Sequence, residues 1–265
     1  MGKISINDDG LNSLILDVVN GLEGKIEDFQ LPSDYKALVK EVSLAANALP
    51  PIYHHSFYLP FLNFLLNIGP DGYQDIIERD PSCQGLAGLI SDIAHSILQK
   101  ANNSQDNALD GFQEVVSDLY DGFLSASDRQ GIKPPEKGFA APLVKWGNAR
   151  LGPYAYPVTA LNSFGIRNGI INMPPTNAVV GLAAWAALPH ETAHDLMHAD
   201  IGLRGELSKL VFDKISSSRK KALFAKKKDR LHLAQYWASR IDEIGADILG
   251  AVSYTHLTLP TICSV

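Results

Sequence analysis

The five residues His190-Glu-Thr-Ala-His194 have the types and spacing of a metal-dependent hydrolytic site. Histidines four residues apart lie on one face of a helix, with Cβ atoms roughly 5–6 Å apart, so both imidazoles can reach one zinc ion. Glu191 can face a zinc-bound water, whose pKa zinc lowers towards about 7, and act as its general base. The motif predicts His190 and His194 as metal ligands and Glu191 as the catalytic residue. The alternative is an amphipathic helix that carries the histidines by chance.

A third ligand is expected because a catalytic zinc takes three protein ligands and keeps one position open. Further along the chain, Glu243-Ile-Gly-Ala-Asp247 forms an ExxxD pattern on a predicted helix. Glu243 can supply the third ligand from a helix that faces the first. Asp247, one turn later, can accept a hydrogen bond from a ligand histidine and set its tautomer. The alternative for both carboxylates is an exposed acidic turn at the end of a helix.

Together the two patterns resemble the gluzincins, zinc peptidases that include the thermolysin-like enzymes. The segment from Glu243 to Gly250 is similar to that of the prenyl-protein and heat-shock membrane peptidases within that clan. Upstream, Leu161–Phe164 and Gly169–Ile171 resemble the strand segment that precedes the HExxH helix in those enzymes. The resemblance spans roughly Ala160–Gly250 and implies a zincin-like core with two helices that face each other across the metal.

The resemblance also implies a set of roles for individual residues. A Zn²⁺ cofactor would be bound by His190, His194 and Glu243, with Glu191 as the base and Asp247 as the partner of His190. The substrate would be a peptide or protein.

His198 lies on the same helical stripe as His190 and His194. A helix rises about 1.5 Å per residue, so His190 and His198 would lie roughly 12 Å apart along the axis and cannot bind one metal ion. We therefore expect His198 at the surface or beside the ligands, outside the ligand set.

The elements that must position these residues follow from apolar periodicity. Residues 1–126 are predicted to form a helical N-terminal region, because apolar residues recur at helical spacing in four segments: Leu11–Leu22, Tyr35–Ala48, Leu86–Leu98 and Ala108–Leu124. Residues 127–142 are polar and rich in glycine and proline, which indicates a linker.

Residues 143–251 are predicted to form the zincin-like core, and the expected fold class is mainly α with a small β-sheet. Gly169–Met173 is a strand, either an edge strand that pairs with an extended peptide or an ordinary buried strand. Helices are expected over Asn177–Ala199, Leu203–Ile215 and Leu231–Gly250. Pro189 should kink the first of these helices or begin a new one.

Residues 252–265 are expected to be a non-native tail. The segment from Val252 to Thr261 resembles the translation of a widely used transposon sequencing adapter and breaks the helical pattern before it. The natural gene is then expected to continue past Ala251, so the core would be truncated here.

Composition limits the remaining classes of function. The net charge of −6 argues against nucleic-acid binding, and the basic segment Arg219–Arg230 is more simply a solvated face than a site for an anionic partner. The two cysteines, Cys83 and Cys263, form no metal motif.

The N-terminus lacks a signal-peptide pattern and no apolar run near the motif could span a bilayer, so we expect a cytoplasmic protein without membrane insertion. The sequence does not indicate an oligomeric state.

The sequence thus predicts a zinc-dependent peptidase, with an endopeptidase favoured. Two alternatives stay open: a non-catalytic zincin-like scaffold or binding module, and a helical interaction protein with a coincidental motif. Geometry discriminates between these, because a real site requires His190, His194 and Glu243 to converge within about 4 Å of one point.

Overall fold

The computed structural model describes residues 34–101, 106–125, 140–147, 152–175, 177, 185–199, 202–218 and 227–262. Within those ranges the helices are α1 Tyr35–Leu44, α2 Leu59–Arg79, α3 Leu86–Ala101, α4 Asp106–Ser125, α5 Val158–Leu161, α6 Ala187–Ala199, α7 Leu203–Ser217, α8 Lys227–Ser239 and α9 Ile241–Ile262. The strands are β1 Leu143–Trp146, β2 Tyr154–Tyr156 and β3 Ile170–Met173. The predicted fold class, mainly α with a small β-sheet, is confirmed.

The three strands form one sheet in the order β1-β3-β2. β3 runs parallel to β1, with Leu143 opposite Ile170, and antiparallel to β2, with Ala155 opposite Ile171. β3 is therefore the central strand, and all four of its residues are buried. Of the two interpretations of Gly169–Met173, the edge strand is wrong and the buried strand is confirmed.

Alternate residues of the sheet enter two different apolar clusters, as the two-residue period of a strand requires. Leu143 and Ile170 pack with residues of α1, α2 and α3. Val144 and Ile171, one position further along each strand, pack instead with residues of α4 and α6. The sheet is therefore covered by helices on both faces, and α6 rests directly on one of them.

Two glutamines saturate the outer edge of β1. Gln113 of α4 accepts a hydrogen bond from Val144 N (3.0 Å) and donates one to Pro142 O (3.1 Å). Gln99 of α3 accepts from Trp146 N (2.7 Å) and donates to Trp146 O (3.0 Å). These side chains replace a neighbouring strand and so satisfy buried backbone groups that would otherwise be costly.

A buried ion pair ties the sheet to α3. The Lys145 ammonium lies 2.7 Å from Asp92, and its side chain is only 2% exposed. Asp92 also accepts a hydrogen bond of 3.1 Å from the Tyr154 hydroxyl. One carboxylate therefore holds both β1 and β2, and its two partners compensate for its loss of water.

The predicted N-terminal helices agree with the structure where it describes them. Tyr35–Ala48 is α1 followed by a short 3₁₀ turn, and the two later segments correspond to α3 and α4. The predicted helix over Leu11–Leu22, and residues 127–139 of the predicted linker, lie outside the described residues. The division into a helical region and a core stays a prediction; apolar residues from both sides of it share one cluster.

Three predictions for the second half of the chain are wrong. Leu161–Phe164 is the end of α5 and a 3₁₀ turn, not a strand. Leu231–Gly250 is two helices that break at Arg240, because α8 packs on α7 whereas α9 packs on α6. The helix does not end before the proposed tail, since α9 continues to Ile262 and no glycine or proline interrupts residues 251–259.

Among the described helices, none combines the length and apolarity needed to cross a membrane. The basic segment Arg219–Arg230 lies largely outside the described residues; of its described part, Arg230 donates a hydrogen bond to Ser218 O (2.7 Å).

The role of Gln113 is testable. Gln113→Ala would leave the buried Val144 N–H without an acceptor, so we expect the free energy of unfolding to fall by about 1–3 kcal/mol in urea titrations. Gln74→Ala is the matched control, because among the described residues the side-chain hydrogen bond of that exposed glutamine is to Glu78, and its loss should change stability by less than about 0.5 kcal/mol. Equal effects of the two substitutions would contradict the edge-saturating role.

Candidate metal centre

Helix α6 carries the HExxH motif and begins at Ala187. Pro189 is its third residue, where a backbone N–H would have no partner within the helix, so the proline starts the helix rather than kinking it. Leu188 and Leu196 anchor α6 on the sheet, and their contacts face away from the histidines. His190 and His194 are therefore left half-buried, with side chains 27% and 15% exposed.

Helix α9 runs antiparallel along the exposed side of α6. His190 faces Asp247, and further along α6 His194 faces Glu243. One glycine of α9 permits this close approach to the backbone of α6, and a second glycine faces a flexible side chain. A Cβ on Gly250 would lie 3.0 Å from His190 N, and one on Gly245 would lie 2.9 Å from the end of the Met197 side chain.

The packing of α6 and α9 brings three candidate ligand atoms together. His190 Nε2 and His194 Nε2 are 3.1 Å apart, and Glu243 Oε2 lies 3.7 Å and 3.6 Å from them, respectively. A point about 2.0 Å from all three atoms exists, which matches the 2.0–2.2 Å bonds that zinc forms with imidazole and carboxylate. Among the described residues, these three form the group of histidine, cysteine and acidic side chains whose ligand atoms lie close enough together to hold a metal ion, and they meet the convergence test set by the sequence.

Asp247 sets the chemical state of the first histidine. Its carboxylate lies 3.0 Å from His190 Nδ1. A carboxylate only accepts hydrogen bonds, so the proton of a neutral His190 lies on Nδ1 and the lone pair of Nε2 points towards the other candidate ligands. Burial lowers the pKa of His194, which favours the neutral imidazole that binds metals. The predicted role of Asp247 as partner of His190 agrees with this geometry.

Glu191 is the most enclosed of the acidic residues that line the cleft beside the three candidate ligands. It is 7% exposed, and it lines the same cleft as His190 and His194. Burial, followed by the nearby carboxylate of Glu243, raises the pKa of Glu191 to about 7. A carboxyl group with a pKa near neutrality can both accept and return a proton at physiological pH, which is the requirement for a general acid–base.

The cleft in front of these residues has a volume of about 450 Å³. One wall is formed by α6 and the first turn of α9. The opposite wall is formed by the β2 strand and its flanking prolines, Pro153 and Pro157. Because β3 is central, β2 is a sheet edge, and in the described part of the chain no other strand covers it.

Asp195 is an important residue that sequence analysis missed. It is 1% exposed and accepts a hydrogen bond of 2.8 Å from Val158 N, which joins α6 to the start of α5, two residues after β2 ends. Burial raises the pKa of Asp195 to about 6. Gly169 makes room for the carboxylate, since a Cβ there would lie 2.3 Å from Asp195 Oδ1. The sequence contained a signal that could have identified it. Asp195 is seven residues after Leu188, so helical spacing places this acid on the apolar face of the helix.

His198 and Asp242 also line the cleft. His198 lies outside the ligand set, as expected, and contacts Asp242 rather than the three candidate ligands.

Comparison with models of protein families, with curated proteins and with solved structures found no match for this chain.

The close approach of α6 and α9 can be tested with the two glycines. Gly250→Ala places a methyl group against the backbone of His190, so we expect a loss of about 1–3 kcal/mol in the free energy of unfolding. Gly245→Ala is the matched control, because the flexible Met197 side chain can move aside and alanine favours helix by up to about 1 kcal/mol. If urea titrations show that Gly245→Ala lowers the free energy of unfolding more than Gly250→Ala does, the packing described would be contradicted.

The environment of Glu191 predicts how stability depends on pH in the metal-free protein. A carboxyl group whose pKa rises on folding stabilises the folded chain at low pH and loses that contribution as the pH rises from about 4.5 to about 7. Glu191→Gln carries no charge, so with chelator present it should be more stable than the parent at pH 8, by up to about 3 kcal/mol. The difference should vanish near pH 4.5. A difference independent of pH, measured by thermal unfolding across this range, would count against the buried carboxylate.

Proposed function

We propose that this chain is a zinc-dependent peptidase with a zincin-like core. The observation that carries the proposal is the convergence of His190 Nε2, His194 Nε2 and Glu243 Oε2 around a point about 2.0 Å from each atom, with the buried Glu191 beside them. Two imidazoles and one carboxylate are a ligand set that catalytic zinc uses, and this set leaves one position open towards the cleft.

When bound there, zinc supplies a Lewis acid that polarises a carbonyl group and acidifies water. The residues of the chain would do the rest. Glu191, which lines the cleft beside the candidate ligands, would accept a proton from the attacking water and return it to the leaving amine. Asp247 would hold His190 in the tautomer whose Nε2 binds the metal. Asp195, through Val158, would keep α6 at a constant distance from β2.

The free edge of β2 suggests how a peptide would lie in the cleft. The edge of β1 is saturated by Gln99 and Gln113, whereas β2 forms the wall opposite the candidate metal ligands. An extended substrate would pair with β2 through main-chain hydrogen bonds, which bind many different sequences. The candidate edge strand for the substrate is therefore β2, in place of Gly169–Met173.

The proposal is tested by measuring zinc and hydrolysis together. We expect near-stoichiometric zinc in the parent by elemental analysis, and a sharp reduction in Glu243→Ala. Glu206→Ala, which removes an exposed glutamate from the first turn of α7, is the matched control and should retain the metal. Glu191→Gln should also retain zinc but should cleave a mixed library of fluorogenic peptides about 10²–10⁴-fold more slowly than the parent.

Each outcome has a distinct meaning. Equal zinc content in the parent and in Glu243→Ala, or no zinc in either folded protein, would contradict the proposed metal site. The HExxH motif would then be a chance occurrence. Zinc that depends on Glu243, combined with no hydrolysis of any peptide, would favour a non-catalytic zincin-like scaffold.

A further inference from the structure

A third histidine of α6 joins two other elements at the edge of the cleft. His198 Nε2 lies 3.0 Å from Asp242 Oδ2 at the start of α9, and His198 Nδ1 lies 3.0 Å from Thr159 Oγ1 on α5. The side chains of His198 and Asp242 are 15% and 25% exposed, so this contact is largely shielded from water.

The hydrogen-bond roles in this contact are consistent with a neutral ring. The Asp242 carboxylate only accepts, so His198 Nε2 donates to it, and His198 Nδ1 then accepts from the Thr159 hydroxyl. Both ring nitrogens are thereby engaged. Among the described residues, Asp242 Oδ1 is buried without a hydrogen-bond partner, so the bond from His198 is the one that compensates for the burial of this carboxylate.

The position of Asp242 in the chain gives this contact its significance. Asp242 immediately precedes Glu243, and both lie in the first turn of α9, directly after the break at Arg240. First turns fray because their N–H groups have no partners within the helix. The Glu243 side chain is 67% exposed, and its ion-pair contacts within the described residues are those to the two histidines. Its position therefore depends on how the first turn of α9 is held.

We propose that Thr159, His198 and Asp242 form a positioning device that holds the first turn of α9 against α6, so that Glu243 completes the metal-binding set. His198 is a positioning residue in this arrangement, not a ligand. The inference rests on the proposed metal site, and it assigns to the third histidine of α6 a role in metal affinity.

Cobalt(II) is a suitable probe, because it occupies zinc sites and its visible absorption reports the number and type of ligands. We expect His198→Ala to raise the dissociation constant for cobalt(II) by about tenfold or more. Its spectrum should change in the direction of that of Glu243→Ala, since Glu243 would be lost from the metal. His232→Ala, which removes an exposed histidine from α8, is the matched control and should behave like the parent.

Changes at the two partners separate positioning from a general loss of folding. Asp242→Ala should reproduce His198→Ala, whereas Asp242→Asn retains an acceptor oxygen and should stay within about threefold of the parent. Thr159→Ser should likewise be parent-like. The double variant His198→Ala/Asp242→Ala should bind cobalt(II) no more weakly than either single variant, because the two changes remove one interaction.

The outcomes distinguish this inference from the proposed function. Cobalt(II) binding that requires Glu243 but is unchanged in both His198→Ala and Asp242→Ala would overturn the positioning role alone. Additive losses in the double variant would overturn it too, since independent damage adds. Failure of the parent to bind cobalt(II) would overturn the metal site and, with it, this inference. If His198→Ala does not fold, the positioning role is tested by comparing the cobalt(II) dissociation constants of Asp242→Ala and Asp242→Asn. Equal constants would contradict it.

Discussion

The close antiparallel packing of α6 and α9 is the constraint on which the candidate site depends. Neither helix alone contains three candidate ligands, and the described helices α7 and α8 lie between His194 and Glu243 along the chain. Gly250 lets the two backbones approach, and the contacts Asp247–His190 and Asp242–His198 then fix the register at both ends. The distances among the three candidate ligand atoms are a consequence of that register.

The sheet provides the other fixed reference. It is held between two apolar clusters, and it is tied to α3 by the buried pair of Lys145 and Asp92. Its two edges differ in chemistry, because glutamine side chains saturate β1 whereas β2 borders the cleft. Asp195 then connects α6 to the start of α5, just after β2. The relative position of the candidate ligands and the cleft wall is thus set by buried polar contacts as well as by apolar packing.

The predictions from the sequence agree with the structure where a local period or motif carries the information. Apolar spacing predicted α1, α3 and α4, and the His190–His194 motif and Glu243 identified the residues that meet. The predictions failed where a contact between segments that are distant in the chain determines the structure. The break at Arg240 occurs because two halves of one apolar pattern pack on different helices. The strand order cannot be derived from Gly169–Met173 alone. In the sequence, Asp195 is recognised only as a carboxylate on an apolar helix face, and that pattern does not indicate which residue donates a hydrogen bond to it.

What the sequence determined by itself is the set of chemical groups at the candidate site: two imidazoles and a carboxylate as candidate ligands, with a second carboxylate next to the first imidazole. Residue types and spacing within each of the two helices are enough for that, because helical geometry is the same everywhere. Only the tertiary structure decided that Glu243 reaches the histidines, that β2 rather than β3 is the open edge, and that His198 meets Asp242. These facts arise from packing between segments that are far apart in the chain, and no local pattern encodes such distances.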